Sequence, residues 1–175
     1  NDRIRDWSQS LSETDILRFT DVASDDVALT RANGSMTLQI TIVSTGEVID
    51  VDERFNSLTY GYGIEVIEFS DSVRWGLDDI LHNTRVEGTA GSNTLTGTSY
   101  NDNLFGLEGN DTLSGLGGKD RFYGGSGADH FIGGDGVDTV HYDGSPVGLV
   151  VDMQDSASSS GDAFGDTFIG IENIY

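Results

Sequence analysis

The chain has 175 residues, enough for one domain or two small ones, and 30 acidic residues against 9 basic ones give it a formal charge of -21. A surface this acidic repels nucleic acid and anionic membranes and calls for a cation as partner. Cysteine is absent, which excludes disulfides, thiolate zinc sites and thiol catalysis, and no apolar run reaches the eighteen residues of a membrane span. Glycine contributes 24 residues and proline only one, so the glycine serves turns rather than a collagen-like or Pro-rich segment.

Residues 1–84 contain few glycines and long alternating runs. Met36-Thr-Leu38-Gln-Ile40-Thr-Ile42 followed by Glu47-Val48-Ile49-Asp50-Val51 predicts a hairpin turning at 44–46. A second strand pair is expected over 64–69 and 73–75 around the turn Ser70-Asp71-Ser72, followed by a short helix at 77–82. Trp75, Leu77, Ile80 and Leu81 read as the edge of a packed core.

From residue 88 the texture changes. Glycine recurs at Gly88, Gly97, Gly106, Gly115, Gly124 and Gly133, so residues 88–141 are six nonapeptides. Their sixth column holds Asn93, Asp102, Asp111, Asp120, Asp129 and Asp138, and their eighth holds Leu95, Leu104, Leu113, Phe122, Phe131 and Val140. Each unit is therefore a glycine-rich turn, an acid and a very short strand with one buried side chain. After the array, residues 147–153 read as a strand and 154–163 as a Ser, Gly and Asp-rich loop, and Gly165-Asp166-Thr-Phe168-Ile-Gly170 restarts the repeat. No signal-peptide pattern opens the sequence. The first residue is Asn rather than Met and the chain stops inside a unit, which suggests a piece of a longer protein with more repeats downstream. The expected division is 1–84, 85–146 and 147–175.

Two nonapeptides supply two turns and two strands, one coil of a solenoid, so loops n and n+2 should stack at a spacing of about 4.7–4.9 Å. Loops starting at Gly88, Gly106 and Gly124 then line one edge, and those starting at Gly97, Gly115 and Gly133 line the other. Two stacked carboxylates about 5 Å apart repel by roughly 3 kcal/mol at an effective dielectric near 20. Several such pairs would rival the stability of a whole domain. A cation reverses the sign. Carboxylates and backbone carbonyls are hard oxygen donors, and a cage made wholly of protein loops suits Ca2+ better than magnesium. Carbonyls at loop positions one and three should face one neighbouring loop and those at two and four the other, with the Asp bridging both.

These residues resemble the haemolysin-type calcium-binding repeats of the RTX (repeats-in-toxin) proteins, pattern GGxGxDxUx with U a large apolar residue, which units 124–132 and 133–141 match in full. Residues 15–81, with Asp15-Ile-Leu-Arg-Phe19, Asp26-Val27-Ala-Leu29, Ile64-Glu-Val-Ile-Glu-Phe69 and Trp75-Gly-Leu77, resemble the haemolysin-type calcium-binding-related β domain that often accompanies such repeats. The resemblance implies an all-β fold: a parallel β-roll preceded by a small β-rich domain with one short helix. It also implies secretion from a Gram-negative bacterium, to the medium or the cell surface, through type I secretion machinery. The expected metal ligands are Asp102, Asp111, Asp120, Asp129 and Asp138 with the loop residues Gly106, Glu108, Gly109, Gly115, Gly117, Gly118, Gly124, Gly125, Ser126, Gly127, Gly133, Asp135 and Gly136. Asp111 with Asp129 and Asp120 with Asp138 follow the pattern most closely. Asn93, Thr89, Thr98, Leu107, Leu116 and Tyr100 depart from it.

Three functions are open at this point. The first is a non-catalytic module, disordered where calcium is scarce and folded outside the cell. The second is a fragment of a secreted hydrolase or polysaccharide epimerase, although HExxH, GxSxG and P-loop patterns are absent and His82, His130 and His141 stand apart. The third is a segment of an adhesin or surface-layer protein binding a glycan or protein ligand, with Tyr60, Tyr62 and Trp75 as a possible aromatic platform.

Overall fold

Residues 3–5, 14, 16–33, 37–51, 64–145 and 148–175 are described by a computed structural model. The chain falls into two units, Asn1–Arg31 with Ser35–Thr84 and Ala32–Gly34 with Arg85–Tyr175.

Alternation builds the first unit. Its strands are β1 (Arg3–Arg5), β2 (Ile16–Arg18), β3 (Val27–Ala32), β4 (Leu38–Ile42), β5 (Glu47–Val51), β6 (Val66–Glu68) and β7 (Arg74–Trp75). Leu38, Ile40 and Ile42 of β4 are buried while Gln39 faces solvent, the pattern of a strand with one wet face. β3, β4 and β5 pair antiparallel, with Ile40 between Leu29 and Ile49, and the turn of the predicted hairpin closes with the Gly46 amide donating to the Ile42 carbonyl. β1 runs antiparallel to β2, β2 parallel to β6, and β6 antiparallel to β7. The predicted helix is α1 (Leu77–Asn83), whose start is held by the Asp79 carboxylate accepting the Gly76 amide at 3.0 Å. Ile80 and Leu81 are buried, and Trp75 packs edge-on against Phe69 with ring centroids 4.6 Å apart. Asp15, Met36, Tyr60, Tyr62 and Val147 lie outside the described residues.

The second unit winds as a coil of two parallel sheets. Its strands are β8 (Thr84–Glu87), β9 (Thr94–Thr96), β10 (Asn103–Glu108), β11 (Thr112–Gly118), β12 (Arg121–Ser126), β13 (His130–Gly136), β14 (Thr139–Val140), β15 (Thr167–Ile169) and β16 (Asn173–Ile174). One sheet runs β8-β10-β12-β14-β16 and the other β9-β11-β13-β15. Neighbouring strands within the array are offset by two nonapeptides, as Leu104 opposite Phe122 and Leu113 opposite Phe131 demonstrate. The eighth column fills the interior: Leu95, Leu104, Leu113, Phe122, Phe131 and Val140 share one core with Val86, Tyr142, Ala163 and Ile171. On the outer side Phe105, Tyr123, His141 and Tyr175 stack in a row.

The strand expected at 147–153 does not form in its described part, where Val150 makes only an isolated antiparallel bridge to Ser160. The sheet position beside β14 is taken by β16, so this stretch has no ladder to join, and Leu149 and Val151 cover the core instead. The following loop contains two short 3-10 turns, Ser156–Ser158 and Gly161–Ala163. The restarted repeat does return to the coil, with Phe168 opposite Phe131.

Phe131 is fully buried, stacked on Phe168 at 5.5 Å and edge-on to Phe122 at 6.0 Å. Phe131→Ala should destabilise the folded second unit by about 3–5 kcal/mol in denaturant unfolding. A loss under about 1 kcal/mol would mean that the eighth column is not its core.

Candidate metal centre

The sixth-column acid immediately precedes each strand of the array, and residues two apart in extended chain face the same side, so the acid points inward with the apolar residue of column eight. Asp111, Asp120, Asp129 and Asp138 are buried as a result, each at most 2% exposed. One oxygen of each carboxylate has a fixed partner in the preceding stacked loop. Asp111 Oδ1 accepts the Asn93 amide at 2.7 Å, Asp120 Oδ1 the Asp102 amide at 2.8 Å, Asp129 Oδ1 the Asp111 amide at 2.9 Å and Asp138 Oδ1 the Asp120 amide at 2.8 Å.

The other oxygen has none. Oδ2 of Asp111, Asp120, Asp129 and Asp138 is buried without a hydrogen-bond partner. A buried charged oxygen left this way is costly, and four in one column mark a place for positive charge. Backbone carbonyls converge on the same space. A Cβ on Gly115 would overlap Asp120 Oδ2 and come against the Gly133 carbonyl, and one on Gly106 would do the same with Asp111 Oδ2 and the Gly124 carbonyl. From the opposite side, a Cβ on Gly134 or Gly136 would strike the carbonyl of Leu116 or Gly118. The Asp135 carbonyl lies toward Gly117. Between loops 115–120 and 133–138, first- and third-position carbonyls thus face back and second- and fourth-position carbonyls face forward.

The backbone that makes this possible is left-handed at alternate loop positions. Gly127 and Gly136 have φ of 138° and 144°, open to glycine alone without strain, and Leu107 and Leu116 adopt φ of 80° and 74°. Glu108 and Asp135 are exposed, and the Asp135 carbonyl lies toward the preceding stacked loop. His82 is exposed, His130 contacts Thr167, and His141 is stacked between Tyr123 and Tyr175.

The first two loops are closed differently. Thr98 donates both its amide (2.6 Å) and its hydroxyl (2.8 Å) to Asp102 Oδ2, and the Thr89 amide donates to Asn93 Oδ1 at 2.6 Å. Asp102 therefore sits in the predicted column with its second oxygen already satisfied by the protein. Two acids outside the predicted ligand set also join the columns. Asp166 Oδ1 accepts the Asp129 amide at 2.7 Å while its other oxygen takes the Tyr142 hydroxyl, and Glu172 Oε2 accepts the Asp138 amide at 2.8 Å. Their signal was in the sequence: Asp166-Thr-Phe168 and Glu172-Asn-Ile174 both carry an acid two residues before an apolar side chain.

Burial is also the largest influence on protonation. It pushes the Asp120 and Asp129 carboxyls up to about 7, reinforced by neighbouring carboxylates and opposed by the amide bonds. Asp111, Asp138 and Asp166 are raised for the same reason, and Tyr142 is raised by burial and by its bond to Asp166. Among the described residues no group of three or more His, Asp or Glu side chains could hold a metal ion, so a cation here draws on backbone carbonyls as well as carboxylates. An all-oxygen donor set with unpartnered charge fits calcium.

Comparison with known families agrees with this geometry. Residues 87–122 and 114–144 match the RTX calcium-binding nonapeptide repeat (4 copies). Residues 87–144 are therefore an array of RTX calcium-binding nonapeptide repeats. Residues 38–79 match the haemolysin-type calcium binding protein related domain, so the array is preceded by a domain of related type. No curated protein matches the chain. The RTX array is a calcium-binding repeat module, and among the described residues no helix is long and apolar enough to cross a membrane.

Without a cation, a carboxyl whose pKa is higher in the fold than in the unfolded chain stabilises the fold through its protonated form. That contribution is complete below the unfolded value near 4 and is lost as pH rises through about 7 for Asp120 and Asp129. In chelator, β structure in the second unit should therefore fall as pH is raised from about 4 to about 7. Circular dichroism that rises over this window would contradict the assigned direction of the shifts.

Proposed function

We propose that this chain is a calcium-induced folding module, non-catalytic in itself, of a larger secreted bacterial protein. The observation that carries the proposal is the set of four buried carboxylate oxygens without partners, each in a stacked loop. When bound, calcium supplies the positive charge that these oxygens and the facing carbonyls lack. The chain's own residues do the rest. The Asp side chains tie each loop to the loop before it through the amide bonds, the left-handed loop positions aim the carbonyls, and the apolar column seals the coil. Asp111, Asp120, Asp129 and Asp138, with the carbonyls of the loops starting at Gly106, Gly115, Gly124 and Gly133, are the ligands this reading assigns. Asp102, satisfied by Thr98, contributes less.

A fold that depends on calcium suits export. The array stays unfolded in a cytosol poor in free calcium, passes through type I secretion machinery as an open chain and closes outside the cell. Residues 1–84 are proposed to fold without the ion, because their apolar residues are buried by alternation alone. The array at 85–146 and the segment at 147–175 then order together when calcium is present. An adhesin platform draws no support from Trp75, which is engaged with Phe69.

Titration of the chelated protein should produce a cooperative gain of β structure with calcium and a much weaker one with magnesium. Asp120→Ala should raise the calcium midpoint about tenfold or more, equivalent to about 1.4 kcal/mol, and more than Asp102→Ala does. A dichroism spectrum indifferent to calcium would remove the proposal, and equal effects at Asp102 and Asp120 would remove the assignment of ligands. In chelator, residues 1–84 should resist limited proteolysis longer than residues 88–141. Equal rates of digestion would mean that the array nucleates the whole chain.

A further inference from the structure

The repeats end at residue 141, but the stack does not. As Gly97 does for Asp102 Oδ2 and the Gly115 carbonyl, the first glycine of three loop pairs with an unpartnered Asp Oδ2 leaves room, by its missing Cβ, for that oxygen and for the first carbonyl of the next stacked loop. They are Gly106 with Asp111 Oδ2 and the Gly124 carbonyl, Gly115 with Asp120 Oδ2 and the Gly133 carbonyl, and Gly133 with Asp138 Oδ2 and the Gly170 carbonyl. The third pair reaches outside the repeats. Asp138 is wholly buried, and its Oδ2 has no partner.

The loop that covers it is short. Asn173 pairs with Thr139, so residues 170–172 occupy the place that residues 133–138 occupy one coil earlier. Glu172 stands where an Asp would, and its extra methylene lets Oε2 reach the Asp138 amide at 2.8 Å across the shortened loop. The Glu172 and Asn173 amides both donate to the Asp138 carbonyl, at 3.2 and 3.0 Å, which fixes this register. Gly170, with φ of 61°, lies beside the backbone of Gly134, the second-position residue of its loop; the equivalent carbonyl in the preceding pair of this edge, that of Leu116, faces forward.

We infer that residues 170–172 complete a further calcium site over Asp138, with the Gly134 and Gly170 carbonyls, Asp138 Oδ2 and the Glu172 carboxylate as its oxygens. The inference rests on the calcium reading of the array and adds an ion beyond the repeats. The site has fewer carbonyls than a repeat pair and Glu172 is exposed, so it is the weakest of its edge.

The test is calcium stoichiometry and affinity of the full chain by isothermal titration calorimetry, with circular dichroism in saturating calcium as the check on folding. Glu172→Lys, whose ammonium takes the place of the ion beside Asp138, should fold and bind one calcium fewer than the wild type. Glu172→Gln keeps an oxygen for the Asp138 amide but loses the charge, and should bind the last calcium about tenfold or more weakly. Two variants that match the wild type in number and affinity would overturn the added site. A wild type that takes up no calcium would overturn the reading of the array itself.

Discussion

A buried carboxylate has two oxygens to satisfy, and in this coil the backbone satisfies only one. Oδ1 of each interior Asp ties its loop to the one before it, while Oδ2 of Asp111, Asp120, Asp129 and Asp138 points into space framed by carbonyls. The carboxylate and carbonyl oxygens that converge on that space are all negative or partly negative. The polypeptide cannot close the arrangement from its own inventory there, because Lys119 is exposed and the other side chains of these loops are Gly, Leu, Ser, Glu, Asn, Ala, Asp or Val. The fit to a calcium ion is thus written into loop composition.

The first unit obeys a different rule. Its strands pair through their own ladders, and Leu38, Ile40, Val66 and Ile67 are removed from water without any buried uncompensated acid being needed to place them. The second unit has one apolar side chain per nonapeptide in its interior and a glycine at the start of every turn, so its hydrophobic gain is small against the entropy of ordering it. The first unit thus places its apolar residues by strand pairing alone, whereas the interior of the second carries buried acids beside its apolar column.

The period of nine made most of the coil legible. It fixes which residues are column six and column eight, and two units per coil fix the pairing of Leu113 with Phe131. What escaped the sequence lies where the period breaks. Alternation at 147–153 cannot distinguish a sheet strand from a cover, since the deciding fact is that β16, twenty residues later, already fills the edge. Asp166 and Glu172 carry the acid-x-apolar signal, but the loops before them depart from the nonapeptide, and only the register with Thr139 and His130 places them in the columns. Thr89 and Thr98 were visible as departures. Their effect, donation to Asn93 and Asp102, depends on a loop conformation that composition does not reveal.

Backbone conformation separates the two kinds of loop. Leu107 and Leu116 occupy left-handed φ, which costs about 1–2 kcal/mol for a residue with a Cβ and persists only where the surroundings over-determine it. Those loops have no side chain able to bond their own Asp, so their carbonyls must be turned toward the next loop to build an oxygen cage. Thr89 and Thr98 occupy the same second position without positive φ, and so do Gly91 and Tyr100 at the fourth. There the second-position threonine bonds Asn93 or Asp102 directly, nothing further is demanded of the carbonyls, and these positions stay out of the left-handed region. Left-handed φ at Leu107 and Leu116 and its absence at Thr89 and Thr98 thus follow one variable: whether the second oxygen of the sixth-column side chain is bonded by its own loop or left open toward the next.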